Sequence, residues 1–236
     1  MNKRSEHIVR SYDEELQRLR GEILGMGELA LEQMANGMRA LREGDSALAE
    51  EVVASDARID ELELEVSGDV LRLLALRQPM AGDLRGVLSS LRIAADIERI
   101  GDYAANVAKR SLALQVAEPR AAVNGLSEMV EFASGMLREV LDAYAAGDAQ
   151  RALGVRDRDV DLDARYNSLF RELLTYMMES PAVIGTCTHF LFIAKNIERI
   201  GDHVTNIAEN IWFQAEGELP SGERPKGDNT NIPLTP

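Results

Sequence analysis

The hexapeptide IERIGD occurs twice, at Ile97–Asp102 and at Ile197–Asp202, an offset of one hundred residues. Around it, Ile93–Lys109 and Ile193–Glu209 agree at ten of seventeen positions. No other feature constrains the fold as strongly, because whatever unit carries the first copy must be built again for the second. Matches outside the hexapeptide mark the extent of that unit. Gly44-Asp45 pairs with Gly147-Asp148, and Asp56, Ile59 and Asp60 pair with Asp159, Leu162 and Asp163. Pro79 pairs with Pro181.

Within each copy the apolar residues recur at helical spacing. Leu16, Leu19, Ile23, Met26, Ala30, Met34, Met38 and Leu41 predict a long first helix, with Ser11 as N-cap and Glu14 completing a capping box. A second helix is predicted from Ser46 to Leu76, ended by the RQPMAGD break, since Pro79 cannot continue it. A third runs through Ile93, Ile97, Ile100, Ala104 and Val107 and stops before Pro119. The series then restarts: a fourth helix over about 124–146, a fifth unbroken to about Glu179, and a sixth through Phe190, Ile193, Ile197, Ile200, Val204 and Ile207. Long helices joined by short breaks pack as antiparallel bundles. The expected fold is all-α: two pseudo-symmetric three-helix bundles over 1–118 and 119–216, joined end to end or side by side. A Pro/Gly-rich polar tail over 217–236 is expected to be disordered.

Composition agrees. The chain is 45% hydrophobic but only 5% aromatic, a mixture that suits helices better than sheets. Its formal net charge of -14 opposes a phosphate backbone, and no basic run offsets it, which argues against nucleic-acid binding. The single cysteine, Cys187, makes no internal disulfide and fits a reducing compartment. The N-terminal stretch lacks the apolar core of a secretory signal, and no apolar run reaches the ~18 residues of a membrane span, so any membrane association is expected to come through partners.

Residues four apart on a helix share a face. Glu98, Asp102 and Asn106 therefore form one stripe, and Glu198, Asp202 and Asn206 form its copy. Each lies roughly opposite the isoleucines, so the isoleucines are expected in the core and the acids outside. A core alone explains the repeated isoleucines but not the repeated acids. Glu and Asp one turn apart can turn their oxygens toward one cation: Mg²⁺ or Mn²⁺ by hardness, Zn or Fe also. Asp60 and Asp163, each one turn from Asp56 and Asp159, stand on the adjoining helices to complete a shell. Gly101 and Gly201 give a neighbour room to approach, and Arg99 and Arg199 are placed to hold the carboxylates. The plain alternative is a solvated helix face with ordinary ion pairs.

Other residues point to no catalyst. His203 follows Asp202 where the first copy has Tyr103, and reads as a partly exposed helix residue more readily than as a metal ligand. Cys187 and His189 are two apart and fall on different helix faces. The inward Glu-x-x-His pairs of a di-iron bundle and a phosphate-binding Gly-rich loop are both missing. A regulator or adaptor is therefore favoured over an enzyme.

The segments ADIERIGDYAANVAK and KNIERIGDHVTNIAE, with EELQRLRGEILGMGELALEQM and RQPMAGDLR, resemble the PhoU family of phosphate-signalling regulators over about Tyr12–Glu216. The resemblance implies a cytoplasmic protein of two three-helix bundles acting negatively on phosphate uptake and on the phosphate-starvation response. It implies contact with the ATPase of the phosphate ABC transporter and with a sensor histidine kinase, and a homodimer. It also implies metal binding at the E-x-x-x-D motifs, here Glu98 with Asp102 and Glu198 with Asp202. Asp96 in the first copy is Asn196 in the second, so the two sites are expected to differ in charge.

Overall fold

The structure, a computed structural model, describes residues 3–114 and 118–222. The described residues form helices α1 (Lys3–Glu43), α2 (Ser46–Arg77), α3 (Gly82–Ser111), α4 (Arg120–Ala146), α5 (Ala149–Asp157), α6 (Asp159–Glu179) and α7 (Ile184–Glu216), with a 3₁₀ turn at Pro181–Val183. The first half is α1–α3; the second is α4, the α5–α6 pair and α7.

The repeated Gly-Asp dipeptides make equivalent corners. Gly44 and Gly147 end their helices in the left-handed region, at φ 69° and 66°. Asp45 then caps α2 by accepting from the Leu48 amide (3.0 Å), and Asp148 caps α5 by accepting from the Arg151 amide (2.9 Å). At the other corner, Gln78 and Ala81 take positive φ around Pro79, whereas Pro181 opens the 3₁₀ turn.

Two expectations about helix bounds are corrected. α1 starts at Lys3, so Ser11 lies inside the helix and not at its N-terminus. The fifth helix is not continuous: Arg158 separates α5 from α6. The break lets Arg156 pair with Glu209 on α7 (2.9 Å) while Arg158 turns to Glu139 on α4 and covers the Phe132 ring.

The halves lie side by side. α3 and α7 are central and pack on each other; α1 covers α3, α4 covers α7, and α1 and α4 touch. α2 and α6 flank the central pair on its two sides. Cross-contacts show α3 and α7 to be antiparallel: Arg92 covers Phe213, Asp96 meets His203, and Arg110 covers Phe192. One apolar cluster runs from Leu19 through Ile97 and Leu126 to Ile197, so the two bundles share a core. Of the expected tail, residues 223–236 lie outside the described residues. Residues 217–222 return to the body, where Arg156 Nη2 donates to the Gly222 carbonyl at 3.3 Å. Among the described residues no helix is long and apolar enough to cross a membrane.

Candidate functional site

The two IERIGD motifs sit at the middle of the central helix pair. Their isoleucines, Ile97, Ile100, Ile197 and Ile200, are at most 1% exposed, as the periodicity requires. The glycines explain how the outer helices approach. A Cβ at Gly101 would lie 2.9 Å from Ile59 Cδ1, 3.1 Å from Gln33 Oε1 and 3.5 Å from Asp56 Oδ1. A Cβ at Gly201 would collide with Leu162 and lie 2.9 Å from Asp159 Oδ1. The neighbour for which each glycine makes room is therefore the outer helix of its own half.

That crossing moves the acids from where the sequence pattern puts them. They line grooves between central and outer helices instead of facing open solvent. Glu198 is 5% exposed, Asp159 2% and Asp163 4%. Glu98 and Asp102 are half-buried, and Asp60 is exposed. The second groove is the deeper one. Close crossing at a glycine sinks the flanking carboxylates, which a projection of one helix alone cannot show.

Burial in company with like charges sets the electrostatics. Desolvation, and then Asp102 and Asp60, push the Asp56 carboxyl up. Desolvation and Asp102 push Glu98 up against the pull of Arg99. Desolvation raises Glu198 most, with the Lys195 hydrogen bond opposing and Asp202 and Asp163 adding to the rise. Three buried oxygens here have no hydrogen-bond partner: Asp56 Oδ1, Gln33 Oε1 and Glu198 Oε2. An unsatisfied buried carboxylate oxygen is costly, and a proton or a cation would relieve it.

The arginines divide unequally. Arg99 holds both acids of its motif, at 3.4 Å from Glu98 Oε2 and 3.0 Å from Asp102 Oδ2. Arg199 does not repeat this; it covers the Tyr103 ring and approaches its hydroxyl at 3.5 Å. Lys195 takes the place next to Glu198, at 2.8 Å. Asp96 lies outside the first groove: it accepts from Asn206 (3.2 Å) and meets His203 Nδ1 at 2.8 Å, tying the halves together. Its exchange for Asn196 therefore alters the seam and leaves the groove acids unchanged. His203, stacked near Tyr103 at 5.7 Å, belongs to that seam too. Cys187 is fully buried, and burial pushes its thiol up, which keeps it protonated.

Sequence reasoning missed Gln33 and Lys195. Gln33 is the one polar residue on the face shared by Met26, Ala30, Gly37 and Leu41, and an interior Gln on such a stripe was its signal. Lys195 stands three residues before Glu198, an ordinary helix pair. As donors the groove acids suit a hard cation. Among the described residues, however, no three His, Cys, Asp or Glu side chains converge closely enough to hold a metal ion. The acids are paired across the crossings and not assembled into a finished shell.

Each half matches the same family model, the PhoU domain, over residues 23–111 and 126–211. The chain belongs to the PhoU family. Each PhoU domain match takes in one IERIGD motif and one groove. The phosphate-specific transport system accessory protein PhoU homolog of Rhizobium meliloti (strain 1021) is 50% identical over 226 residues, 95% of each chain. The homolog of the same name from Caulobacter vibrioides (strain NA1000 / CB15N) is 49% identical over 225 residues, 95% of this chain and 98% of that one. The crystal structure of PhoU from Pseudomonas aeruginosa matches with a TM-score of 0.84 at 37% identity, over 88% of this chain and 100% of that chain. The phosphate transport system regulatory protein PhoU from Streptococcus pneumoniae matches with a TM-score of 0.81 at 32% identity, over 89% and 99%.

Proposed function

We propose that this PhoU-family chain is a non-enzymatic, cytoplasmic accessory regulator of phosphate transport. It acts negatively on phosphate uptake and on the phosphate-starvation response. It does so by contact with the ATPase of the phosphate ABC transporter and with a sensor histidine kinase. The observation that carries this reading is the near full-length match to relatives named as accessory proteins of the phosphate-specific transport system. Deleting the gene should raise phosphate uptake or phosphate-regulon expression, and the intact gene should restore both. Uptake and expression unchanged by deletion would refute the reading.

The acid pairs would serve a modulating cation. The pairs Glu98 with Asp102 and Glu198 with Asp202 would each give two ligands to Mg²⁺, Mn²⁺, Zn²⁺ or iron, with water completing the shell; Asp60 and Asp163 would have to move to add a third, since no three acids converge among the described residues. Desolvation, with the like charges of Asp102 and Asp202 adding to it, raises Glu98 and Glu198, and a bound cation would offset both effects. Metal analysis and titration of chelator-stripped protein test this directly: loss of one class of sites in Glu198→Gln/Asp202→Asn is expected. Absence of any divalent cation binding to wild type would remove the cation from the proposal. The arrangement in pairs favours a second reading, in which the half-buried acids dock basic partner surfaces without a metal. The same variant would then lose partner binding at every metal concentration.

A further inference from the structure

The chain carries 40 acidic and 26 basic residues, so a cluster of arginines with few carboxylate partners runs against its composition. One exists between α1 and α4. A cavity of about 400 Å³ there is rimmed by Arg39 and Arg42 from α1 and by Arg138 from α4. Among the described residues Arg39 and Arg138 make no ion pair and no side-chain hydrogen bond, and Arg42 pairs only with its exposed neighbour Glu43 (3.2 Å). Ser127 and Ser134, one above the other on α4, face the same cavity, and the Ser134 hydroxyl is uncommitted. Leu31, Met38 and Val130 form an apolar floor.

The internal repeat supplies a control. With the offset that pairs Gly44 with Gly147, the positions equivalent to Arg39, Arg42 and Arg138 are Asp142, Ala145 and Ala35. Each half builds this helix without the other's arginines, α4 with Asp142 and Ala145 and α1 with Ala35, so the helix itself requires none of them. The acid grooves are kept in both halves; the arginine cluster is not repeated and lies where the two halves meet. Mutual repulsion of exposed guanidiniums is a cost with no structural return in the protein alone, and an anion would offset it.

The geometry points to a phosphoryl-binding site in the α1–α4 groove. Three arginines and one glutamate, Glu131, line it, a formal surplus of two positive charges (3 − 1), which matches a phosphoryl dianion better than a lone carboxylate. Guanidinium forks suit phosphoryl oxygens, and the Ser134 hydroxyl adds a donor. The cavity exceeds what a bare phosphate fills and falls within the ~300–1,000 Å³ of small-molecule sites. Its apolar floor would receive an organic body such as a nucleobase. The phosphoryl group can come from free phosphate or from an organic monoester. The site is separate from the acid grooves and stands whether or not those hold a cation.

The test is calorimetric titration of the full chain, without divalent cations, at about 0.15 M ionic strength, where exposed charges are screened beyond ~8 Å. Inorganic phosphate, AMP and adenosine are the three probes. Saturable binding of phosphate or AMP, and none of adenosine, is the expected result. Tighter binding of AMP assigns the source to an organic monoester, and equal binding assigns it to free phosphate. Arg39→Ala/Arg138→Ala should weaken binding by about ten-fold or more, since each removes a charge-assisted contact. Glu131→Gln should tighten it, and Arg171→Ala, an exposed arginine on α6, should leave it unchanged. All these side chains are exposed, so thermal melts should confirm that the variants fold. The site is overturned if neither phosphate nor AMP binds saturably. It is overturned equally if binding survives Arg39→Ala/Arg138→Ala or falls as much in Arg171→Ala.

Discussion

Gly201→Ala tests whether the glycine of the second motif exists for the helix crossing. Replacing an interior helical glycine by alanine gains about 1 kcal/mol in propensity when the site has space. At Gly201 it does not. The new methyl would collide with Leu162, which is fully buried, and would lie 2.9 Å from Asp159 Oδ1. Overpacking of this kind costs about 1–3 kcal/mol, so the net effect runs from about zero to a loss of about 2 kcal/mol. Gly25→Ala, on the exposed face of α1 with nothing within 4 Å, isolates the propensity gain. The difference between the two variants is then the overpacking cost itself, about 1–3 kcal/mol, or about 2–4 °C in Tm per kcal/mol for a chain of this length. Urea or thermal unfolding measures it. A third variant locates the cause: in a Leu162→Ala background the methyl has room, and Gly201→Ala should cost less. Gly201→Ala as stable as Gly25→Ala, or equally costly with and without Leu162, would refute the crossing argument.

Stability should also depend on pH through the groove acids. Asp56, Glu98 and Glu198 have folded-state values above their ordinary ones, so the folded protein binds protons more readily than the unfolded one in that window. Their penalty is fully present above the raised values and fades as pH falls toward the ordinary carboxylate range. Glu198→Gln should therefore raise Tm near neutral pH and flatten the dependence; a lower Tm would contradict the burial argument. Glu15, lowered by its Arg77 hydrogen bond, acts in the opposite sense, and its contribution disappears as pH falls through its lowered value. A saturating divalent cation should raise the wild-type Tm, by about 2.7 kcal/mol of stability per site at one hundred times Kd, and raise that of Glu198→Gln/Asp202→Asn only by the share of the first groove. His203→Phe keeps a ring beside Tyr103 but removes the contact with Asp96, and should cost about 1–3 kcal/mol in urea unfolding. An unchanged midpoint would show that this contact does not hold the seam.

Much of the fold was legible because helix periodicity and punctuation are local. Each isoleucine of the two motifs is buried as the spacing requires, and each Gly-Asp corner turns as its residues dictate. The break at Arg158 was not legible, because it follows from where Arg156 and Arg158 find partners on two other helices. Ser11 misled for a related reason: a capping sequence competes with continuation of the helix, and here continuation wins.

The candidate site divides along the same line. Sequence by itself determined that two equivalent acid pairs exist, that each shares a helix with a core stripe, and that a glycine separates their members. Only the tertiary structure decided which surface those acids meet. Gly201 admits Leu162 and Asp159, so Glu198 is buried among acids; Arg199 goes to Tyr103, and Lys195 answers Glu198 instead. Asp96 is claimed by His203 from the other half. Side-chain period is a property of one helix. Burial, charge pairing and the place of a binding groove depend on which helix crosses it and where, and that choice is made by the packing of the whole core.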